Sequence, residues 1–279
     1  MNIIGMNGLG DNIYQRAFVR NLRAPTYLAT PWPELYADIP GVHFVKPATK
    51  LRTQAKNIAR HPPGIWQRMP AGASRQIQYG RAGIINGMAA AFGVQPAEFN
   101  LPDFGSSPVA GDYMVVRPAT IRTEWLADSR NPAPEYIAEA AAIVRRAGVR
   151  VVSVADLVPG VEWALDPLPE ADITYHAGEL GVAQLMALVQ RAKMLIGGPG
   201  WIVPAAISAK APAWIVFGGN GGFNSPGKIT APCMDLSRMA FVTPDRFCLC
   251  TQAQHNCDKK VSKHAQRFAD FARKFTGVG

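Results

Sequence analysis

The chain opens with Asn2-Ile3-Ile4-Gly5-Met6-Asn7-Gly8-Leu9-Gly10-Asp11-Asn12, in which a short apolar strand runs into a glycine turn and then a helix. A second stretch of this kind lies in the other half of the chain and reads Met194-Leu195-Ile196-Gly197-Gly198-Pro199-Gly200-Trp201. Such turns expose backbone N–H groups and a helix N-terminus, a geometry that binds anions. Two of them predict two α/β domains that face one active site.

The composition is that of a globular protein. With 279 residues, 48% of them hydrophobic and 18% charged, the chain can build one large core or two modest ones. No apolar run reaches the roughly 18–20 residues that span a bilayer, and no secretory leader is visible. We therefore expect a cytoplasmic protein, with peripheral association at the inner membrane surface as one option. Its four cysteines are then expected to be thiols or metal ligands.

The charge is uneven. The formal net charge is +9, and no carboxylate occurs between Asp38 and Glu98, a stretch that contains Lys46, Lys50, Arg52, Lys56, Arg60, Arg68, Arg75 and Arg81. A field of one sign concentrates anionic partners such as a phosphorylated glycan, a nucleic acid or an acidic membrane. The alternative is a solvated basic face that only aids solubility.

The order of strands and helices predicts two domains. Apolar strands alternate with helices in both halves, which favours parallel sheets covered on both faces. The segment 96–111 is rich in proline, glycine and serine, so we place the boundary there. Residues 1–110 form the predicted N-terminal domain and residues 111–258 the C-terminal domain. The helix predicted within 259–279 can pack back onto the first domain.

Two common phosphate-binding motifs are excluded. After Gly8 and Gly10, the third glycine of a dinucleotide fingerprint would fall on Ile13, and no acid closes the second predicted strand. The P-loop motif is also absent from the sequence. Asp11, in the first turn of the helix, is either a helix cap or a general base that takes a proton from a hydroxyl.

Several motifs together resemble family 9 glycosyltransferases, the heptosyltransferase-like group. The turn from Gly8 to Asn12 resembles the opening turn of that family. The strand Met114-Val115-Val116-Arg117-Pro118 is similar to the one that opens its donor domain. Further similar segments follow in the family's order: Ala177-Gly178-Glu179-Leu180-Gly181, Pro204-Ala205-Ala206, Ala211-Pro212 and Phe217-Gly218.

The resemblance implies a GT-B fold, in which two Rossmann-like domains with parallel sheets face each other across a cleft. It also implies an inverting enzyme that transfers a hexosyl or heptosyl group without a metal in the chemical step. Asp11 would be the catalytic base. Acceptor binding is assigned to Gly8, Gly10, Asn12, Lys50, Arg52 and Arg60. Donor binding is assigned to Arg117, Arg122, Glu179, Gly197, Gly198, Gly200, Trp201, Gly219 and Asn220.

These donor assignments have alternatives. Arg117 and Arg122 could be surface arginines, Glu179 a helix cap, and the glycines ordinary turn residues. The family's donor loop usually carries an aspartate and a histidine, and this chain has neither there. The donor is therefore expected to be a nucleotide-diphosphate sugar that can differ from ADP-heptose. Trp201 could stack on a base or sugar, or lie in the core.

The cysteines are clustered. Cys233, Cys248, Cys250 and Cys257 lie within 25 residues, with His255 and Asp258 interleaved. Four thiols in a loop-like region can form a tetrahedral structural zinc site, although Cys-x-Cys is not the usual knuckle spacing. Free thiols and disulfides remain the alternatives, in that order.

Two acceptors remain open at this stage. The family resemblance favours a phosphorylated lipopolysaccharide-type glycan, and therefore lipopolysaccharide biosynthesis. The basic stretch, with Trp66 and Tyr79 interleaved, fits DNA with a hydroxylated base, and therefore DNA modification. A non-catalytic nucleic-acid-binding protein would also explain the charge and the cysteines, but not the paired glycine turns. A nucleotide-sugar epimerase or hydrolase is the third reading.

Overall fold

The computed structural model describes residues 1–80 and 82–277. The chain divides into two compact units. Unit 1 comprises Met1–Asp103 and Gly227–Met234, and unit 2 comprises Phe104–Pro226 and Asp235–Gly279. Among the described residues, no helix combines the length and the hydropathy needed to cross a bilayer.

Unit 1 is built on a parallel sheet with the order β3-β2-β1-β4. Its strands are β1 (Asn2–Ile4), β2 (Thr26–Ala29), β3 (Val42–Val45) and β4 (Ser74–Gln76). Its helices are α1 (Leu9–Val19), α2 (Arg52–Arg60) and α3 (Ile84–Phe92), with 3₁₀ turns at Pro33–Tyr36 and Pro63–Ile65.

Helix α1 is the buried helix of unit 1. All its residues from Asn12 onward are buried, and Phe18 stacks on Phe92 of α3 with ring centroids 5.2 Å apart. Arg16 is buried as well, and both terminal nitrogens of its guanidinium donate to Asp38 at 2.6 Å. These hydrogen bonds from Arg16 lower the pKa of the Asp38 carboxyl. The ion pair thus satisfies a charge that α1 carries into the core.

Unit 2 contains a six-stranded parallel sheet with the order β12-β11-β10-β5-β7-β9, and a small antiparallel pair, β6-β8. The strands are β5 (Tyr113–Val116), β6 (Thr120–Arg122), β7 (Arg150–Val154), β8 (Glu162–Ala164), β9 (Ile173–Tyr175), β10 (Leu195–Gly197), β11 (Ala213–Val216) and β12 (Met239–Val242). The helices of unit 2 are α4 (Pro134–Arg146), α5 (Val182–Arg191), α6 (Ile202–Ala209), α7 (Gly221–Asn224) and α9 (His264–Thr276), with a 3₁₀ turn at Asp128–Arg130. The short α8 (Pro226–Ile229) begins at the last residue before the 227–234 segment of unit 1 and continues into that segment.

In each parallel sheet, the strand that comes first in the sequence lies in the interior of the sheet. The first strand of unit 1, β1, lies between β2 and β4, and the first strand of unit 2, β5, lies between β7 and β10. The strand order of unit 2 is that of a dinucleotide-binding Rossmann sheet. In such sheets the chain changes direction beside the first strand, and ligands bind outside the carboxyl ends of the strands at that point. The loops after β1 and β4 and the loops after β5 and β10 therefore occupy the two switch points.

The terminal helix α9 packs on unit 2, which corrects the option that it joins the first domain. Its residues Phe268 and Ala272 are fully buried in the core, where α9 contacts α4. The Trp214 indole on β11 donates to Nε2 of His264 at 3.0 Å, and Nδ1 of that ring lies 2.7 Å from Glu139. Burial lowers the pKa of His264. The apolar face of α9 is thus complementary to unit 2.

Replacement of Phe268 tests this packing. We expect Phe268→Ala to lower the free energy of unfolding by about 3–5 kcal/mol, because it leaves a cavity in a fully buried site. The matched variant Phe223→Ala removes a ring that is 63% exposed and should cost less than about 1 kcal/mol. Urea unfolding followed by tryptophan fluorescence measures both. Equal losses would show that α9 does not stabilise unit 2.

Candidate functional site

The switch point of unit 1 brings Asp11 and Tyr79 together. Asp11 lies in the first turn of α1, after β1, and Tyr79 follows β4 on the other side of the switch point. The Tyr79 hydroxyl donates to Oδ1 of Asp11 at 2.8 Å. The helix dipole and this hydrogen bond both favour the ionised carboxylate. An ionised carboxylate at the ligand-binding edge of a sheet can accept a proton from a bound hydroxyl.

Gly8 makes this position of Asp11 possible. A Cβ built at Gly8, the N-cap of α1, would collide with Oδ2 of Asp11. The carboxylate therefore folds back over the turn, where only glycine leaves it room. Gly10 is the second residue of α1 and lies in the same turn.

The charge of Asp11 extends to two buried tyrosines of unit 1. Burial raises the pKa of Tyr14, and the negative charge of Asp11 raises it further. Burial also raises the pKa of Tyr36, with opposing effects from Arg16 and Asp11. Both phenols therefore stay protonated and act as hydrogen-bond donors.

Asn12 supports the turn through its side chain, and its assignment to acceptor binding stays a prediction. Its side chain is fully buried, and its amide nitrogen donates to the carbonyls of Met6 at 2.6 Å and Gly8 at 2.8 Å. Its amide oxygen accepts from the hydroxyls of Thr30 at 2.7 Å and Tyr36 at 2.9 Å. The amide nitrogen thus holds the glycine turn, and the amide oxygen ties α1 to the hydroxyls of Thr30 and Tyr36.

The predicted basic residues follow β3 in the chain. Lys50 and Arg60 are exposed and Arg52 is half-buried, with Arg52 and Arg60 at the two ends of α2. Arg81, also in the basic stretch, lies outside the described residues. Nearby in unit 1, His61 lies 2.9 Å from Oε1 of Glu34, a pair that the sequence analysis did not find because 27 residues separate its members.

The switch point of unit 2 brings Arg117 to the second glycine turn. Arg117 directly follows β5, and its N–H donates to the carbonyl of Ile196 on β10 at 2.8 Å. A Cβ built at Gly200 would lie 3.7 Å from the guanidinium of Arg117, and one at Gly197 would lie 3.2 Å from its carbonyl oxygen. The structure thus places a cation beside backbone that approaches closely, the two elements that hold a diphosphate.

A buried carboxylate balances this cation. Glu162 on β8 is buried and accepts from the Thr120 hydroxyl at 3.2 Å, while the Arg117 guanidinium donates to that hydroxyl at 3.4 Å. Burial lowers the pKa of Arg117, and the charge of Glu162 partly opposes this effect. Glu162 is a member of the site that the sequence analysis did not identify, because it is distant in sequence.

Of the other predicted donor residues, Arg122 and Glu179 make local contacts, and Trp201 lies next to the glycine turn. The Arg122 guanidinium lies over the Trp125 ring, 5.6 Å from its centroid. Glu179 is not at the start of a helix, because α5 begins at Val182; its carboxylate accepts from the N–H of Ala177 at 3.0 Å. Trp201 is the half-buried N-cap of α6, directly after the glycine turn.

Three of the predicted donor residues serve the packing of the turns. A Cβ built at Gly198 would lie 2.9 Å from the ring of Pro132, and one at Gly219 would collide with Sγ of Cys257. The amide of Asn220 is buried and donates to the carbonyl of Gln252 at 3.0 Å. This amide therefore has a partner within unit 2, and the assignment of Asn220 to donor binding stays a prediction.

The cysteine cluster forms one group of potential metal ligands with a corrected membership. Sγ of Cys248, Cys250 and Cys257 and a ring nitrogen of His255 all lie within 4.8 Å of one another. Cys233 is not in this group; it is exposed and belongs to the 227–234 segment of unit 1. His255 is the fourth potential ligand in the group.

The distances within the group fit a tetrahedral metal site. Sγ of Cys250 lies 3.6 Å from Sγ of Cys257, and Nδ1 of His255 lies 3.6 Å from Sγ of Cys248 and 3.3 Å from Sγ of Cys257. Zinc–sulfur bonds of about 2.3 Å in a tetrahedron place neighbouring sulfurs about 3.8 Å apart. The donor set and its spacing therefore fit a metal that prefers sulfur and imidazole ligands.

Known proteins match this chain in structure and not in sequence. No family model matches it, and no curated protein matches it significantly. The iron-containing dodecameric heptosyltransferase TibC of enterotoxigenic E. coli, solved with ADP-D-β-D-heptose, has a TM-score of 0.63 at 16% identity over 98% of this chain and 75% of its own. A family 9 glycosyl transferase of Veillonella parvula has a TM-score of 0.63 at 14% identity over 98% of this chain and 96% of its own.

The ADP-heptose lipopolysaccharide heptosyltransferase II of E. coli is also similar, with a TM-score of 0.59 at 14% identity over 98% of this chain and 97% of its own. At such identities the similarity is one of fold. The chain therefore has the GT-B-like fold of heptosyltransferases and family 9 glycosyltransferases, which confirms at the level of fold the resemblance that its motifs indicate.

Proposed function

We propose that this chain is an inverting glycosyltransferase that moves a sugar from a nucleotide-diphosphate sugar to an anionic acceptor. One observation carries the proposal: each parallel sheet has a chemically suited pair at its own switch point. In unit 1 the pair is Asp11 with Tyr79, a base with a hydrogen-bond donor. In unit 2 it is Arg117 with the turn from Gly197 to Gly200, a cation with closely approaching backbone.

Unit 2 is the proposed donor-binding unit. The diphosphate would interact with the Arg117 guanidinium and with N–H groups of the glycine turn, which glycine keeps accessible. The similar heptosyltransferase TibC was solved with ADP-D-β-D-heptose, so an ADP-sugar is the first donor to test. The aspartate and histidine usual in the family's donor loop are missing here, so other nucleotides and sugars belong in the same test.

In the proposed transfer step, the Asp11 carboxylate takes the proton of an acceptor hydroxyl. The hydroxyl oxygen attacks the anomeric carbon from the face opposite the leaving group, and the bond between that carbon and the diphosphate oxygen breaks. The nucleotide diphosphate leaves with the electron pair of that bond. Arg117 stabilises the negative charge that develops there, a contribution that is usually large in such reactions.

The acceptor we propose first is a phosphorylated glycan of the lipopolysaccharide type. Lys50, Arg52 and Arg60 lie in the segment that follows β3 in unit 1 and would supply the cations that hold phosphates. The similar heptosyltransferase II of E. coli acts on lipopolysaccharide, which supports this acceptor. The carboxylate-free basic stretch supports DNA with a hydroxylated base as a second candidate.

We also propose that Cys248, Cys250, His255 and Cys257 hold a structural zinc ion. A bound metal would neutralise the thiolates and cross-link a segment that has neither helix nor strand. We assign it no part in sugar transfer.

Donor binding is tested by thermal unfolding with a panel of nucleotide diphosphates and their sugar conjugates. A true donor at 100 times its Kd should stabilise the protein by about 2.7 kcal/mol, which raises the Tm by several degrees. Arg117→Met should weaken that nucleotide by about 10–100-fold, because it removes a charge-assisted interaction. Arg146→Met, at an exposed position of α4, is the control and should leave the affinity unchanged. If no nucleotide raises the Tm and duplex DNA does, the protein is a nucleic-acid-binding protein and the proposed enzyme function is wrong.

The catalytic base is tested with Asp11→Asn once the donor is known. Loss of the base should lower kcat by about 10²–10⁴-fold while the Kd of the nucleotide stays the same. Asp112→Asn, at an exposed position of unit 2, is the matched control. The assay follows transfer to a phosphorylated glycan and to DNA with a hydroxylated base, and the better substrate identifies the acceptor. Unchanged turnover in Asp11→Asn would refute this role, and release of nucleotide without any acceptor would point to a hydrolase.

A further inference from the structure

The metal-ligand segment, residues 247–257, lies directly against the loop that follows β11, residues 218–224. The N–H groups of Gly221 and Gly222 donate to the carbonyls of Cys248 at 2.9 Å and Cys250 at 3.1 Å. Hydrogen bonds of this kind commonly orient the ligands of a metal site.

The contact at Gly219 is too close for any side chain. A Cβ there would collide with Sγ and approach Cβ of Cys257 to 2.7 Å. The N–H of Gly219 donates to the carbonyl of Ser129 at 2.5 Å. The loop is therefore held between the metal-ligand segment and the 3₁₀ turn at Asp128–Arg130.

A second connection leads from the metal-ligand segment to the proposed donor site through residues 129–132, here called the brace. The buried Ser129 hydroxyl contacts the carbonyls of Gln252 at 2.6 Å and Ala253 at 2.9 Å, and its N–H donates to the carbonyl of Ala253 at 3.0 Å. Three hydrogen-bond contacts thus join the brace to residues that lie between Cys250 and His255 in the sequence.

The other end of the brace contacts the glycine turn from Gly197 to Gly200 and the first residue of the loop 218–224. Pro132 packs on Gly198, and the carbonyl of Asn131 lies where a Cβ at Gly218 would be. The Asn131 amide donates to the carbonyl of Thr120 at 2.8 Å, and the hydroxyl of that threonine contacts both Arg117 and Glu162. The brace therefore supports the diphosphate-binding groups without being one of them.

We propose that a metal ion bound by Cys248, Cys250, His255 and Cys257 positions the nucleotide-sugar site of unit 2 through the brace and the loop 218–224. The inference rests on the proposed function only in naming the nucleotide sugar as the ligand of that site. The metal-ligand segment has neither helix nor strand, so four metal bonds would supply its order. Ordering each residue costs backbone conformational entropy, and without the metal this cost falls on nucleotide binding.

The test compares two substitutions at the exposed ligand His255. His255→Ala removes a ligand, whereas His255→Cys restores a sulfur ligand, and Cys233→Ser alters a cysteine outside the group. Zinc and iron are measured by mass spectrometry in each purified protein and again after dialysis against a chelator. We expect one metal ion per chain in the parent, His255→Cys and Cys233→Ser proteins, and less than a tenth of that in His255→Ala.

Two readouts then separate positioning from general stabilisation. Hydrogen exchange of the brace and of residues 218–224 should become at least tenfold faster in His255→Ala and in the chelated protein, while exchange in β5 and β7 stays the same. Nucleotide affinity should fall at least tenfold in the same samples and return with added Zn²⁺ in the chelated protein. The Ser129→Ala protein should still bind the metal. Its nucleotide affinity should change little when the metal is removed, because the brace has lost its side-chain contacts with the metal-ligand segment.

The outcomes are distinct. The inference is overturned if the parent protein binds no metal. It is also overturned if metal loss leaves hydrogen exchange of the brace and the loop unchanged, or accelerates hydrogen exchange equally throughout unit 2. If no nucleotide binds the metal-loaded parent, the proposed function fails, and the exchange data still decide whether the metal orders the brace and the loop.

Discussion

The structure depends on one topological constraint, the interior position of the first strand in each parallel sheet. In each sheet the chain first forms the strands on one side of β1 or β5 and then crosses to form the strands on the other side. The loops on the two sides of that strand therefore leave in opposite directions and keep the carboxyl edge of the sheet open. Both candidate sites lie at these openings. Asp11 and Tyr79 follow the two strands that flank one opening. Arg117 and the turn that ends at Gly200 follow the two that flank the other.

Local sequence patterns were sufficient for the strands that are apolar and buried. The apolar stretches that lead into the two glycine turns are β1 and β10 in the structure, and the apolar stretch that begins at Met114 belongs to β5. The pattern missed β4, because Ser74–Gln76 is exposed and polar, and its place in the sheet comes from pairing with β1. It also missed β9 and β12, since strands of three or four residues carry little periodicity.

The site was predictable only where one short motif contains the functional group. Asp11 and the glycine turns were found in this way, and their proposed roles await measurement. Tyr79, Glu162 and Ser129 reach their partners from distant parts of the chain, so no spacing rule could identify them. Asn12 and Asn220 were assigned to ligand binding from their motifs. The structure adds that both amides hydrogen-bond to buried carbonyl groups, a contact that the motifs do not reveal.

The contact between Gly219 and Cys257 has a consequence for how this sequence can diverge. Each residue fills the space that the other leaves, so a side chain at 219 requires the cysteine to move, and its loss would leave a void beside the loop. Descendants of this chain should therefore exchange the two positions together, and the cysteine-containing segment and the loop after β11 should be inherited as one module. Transplanting either into a related scaffold would require the other.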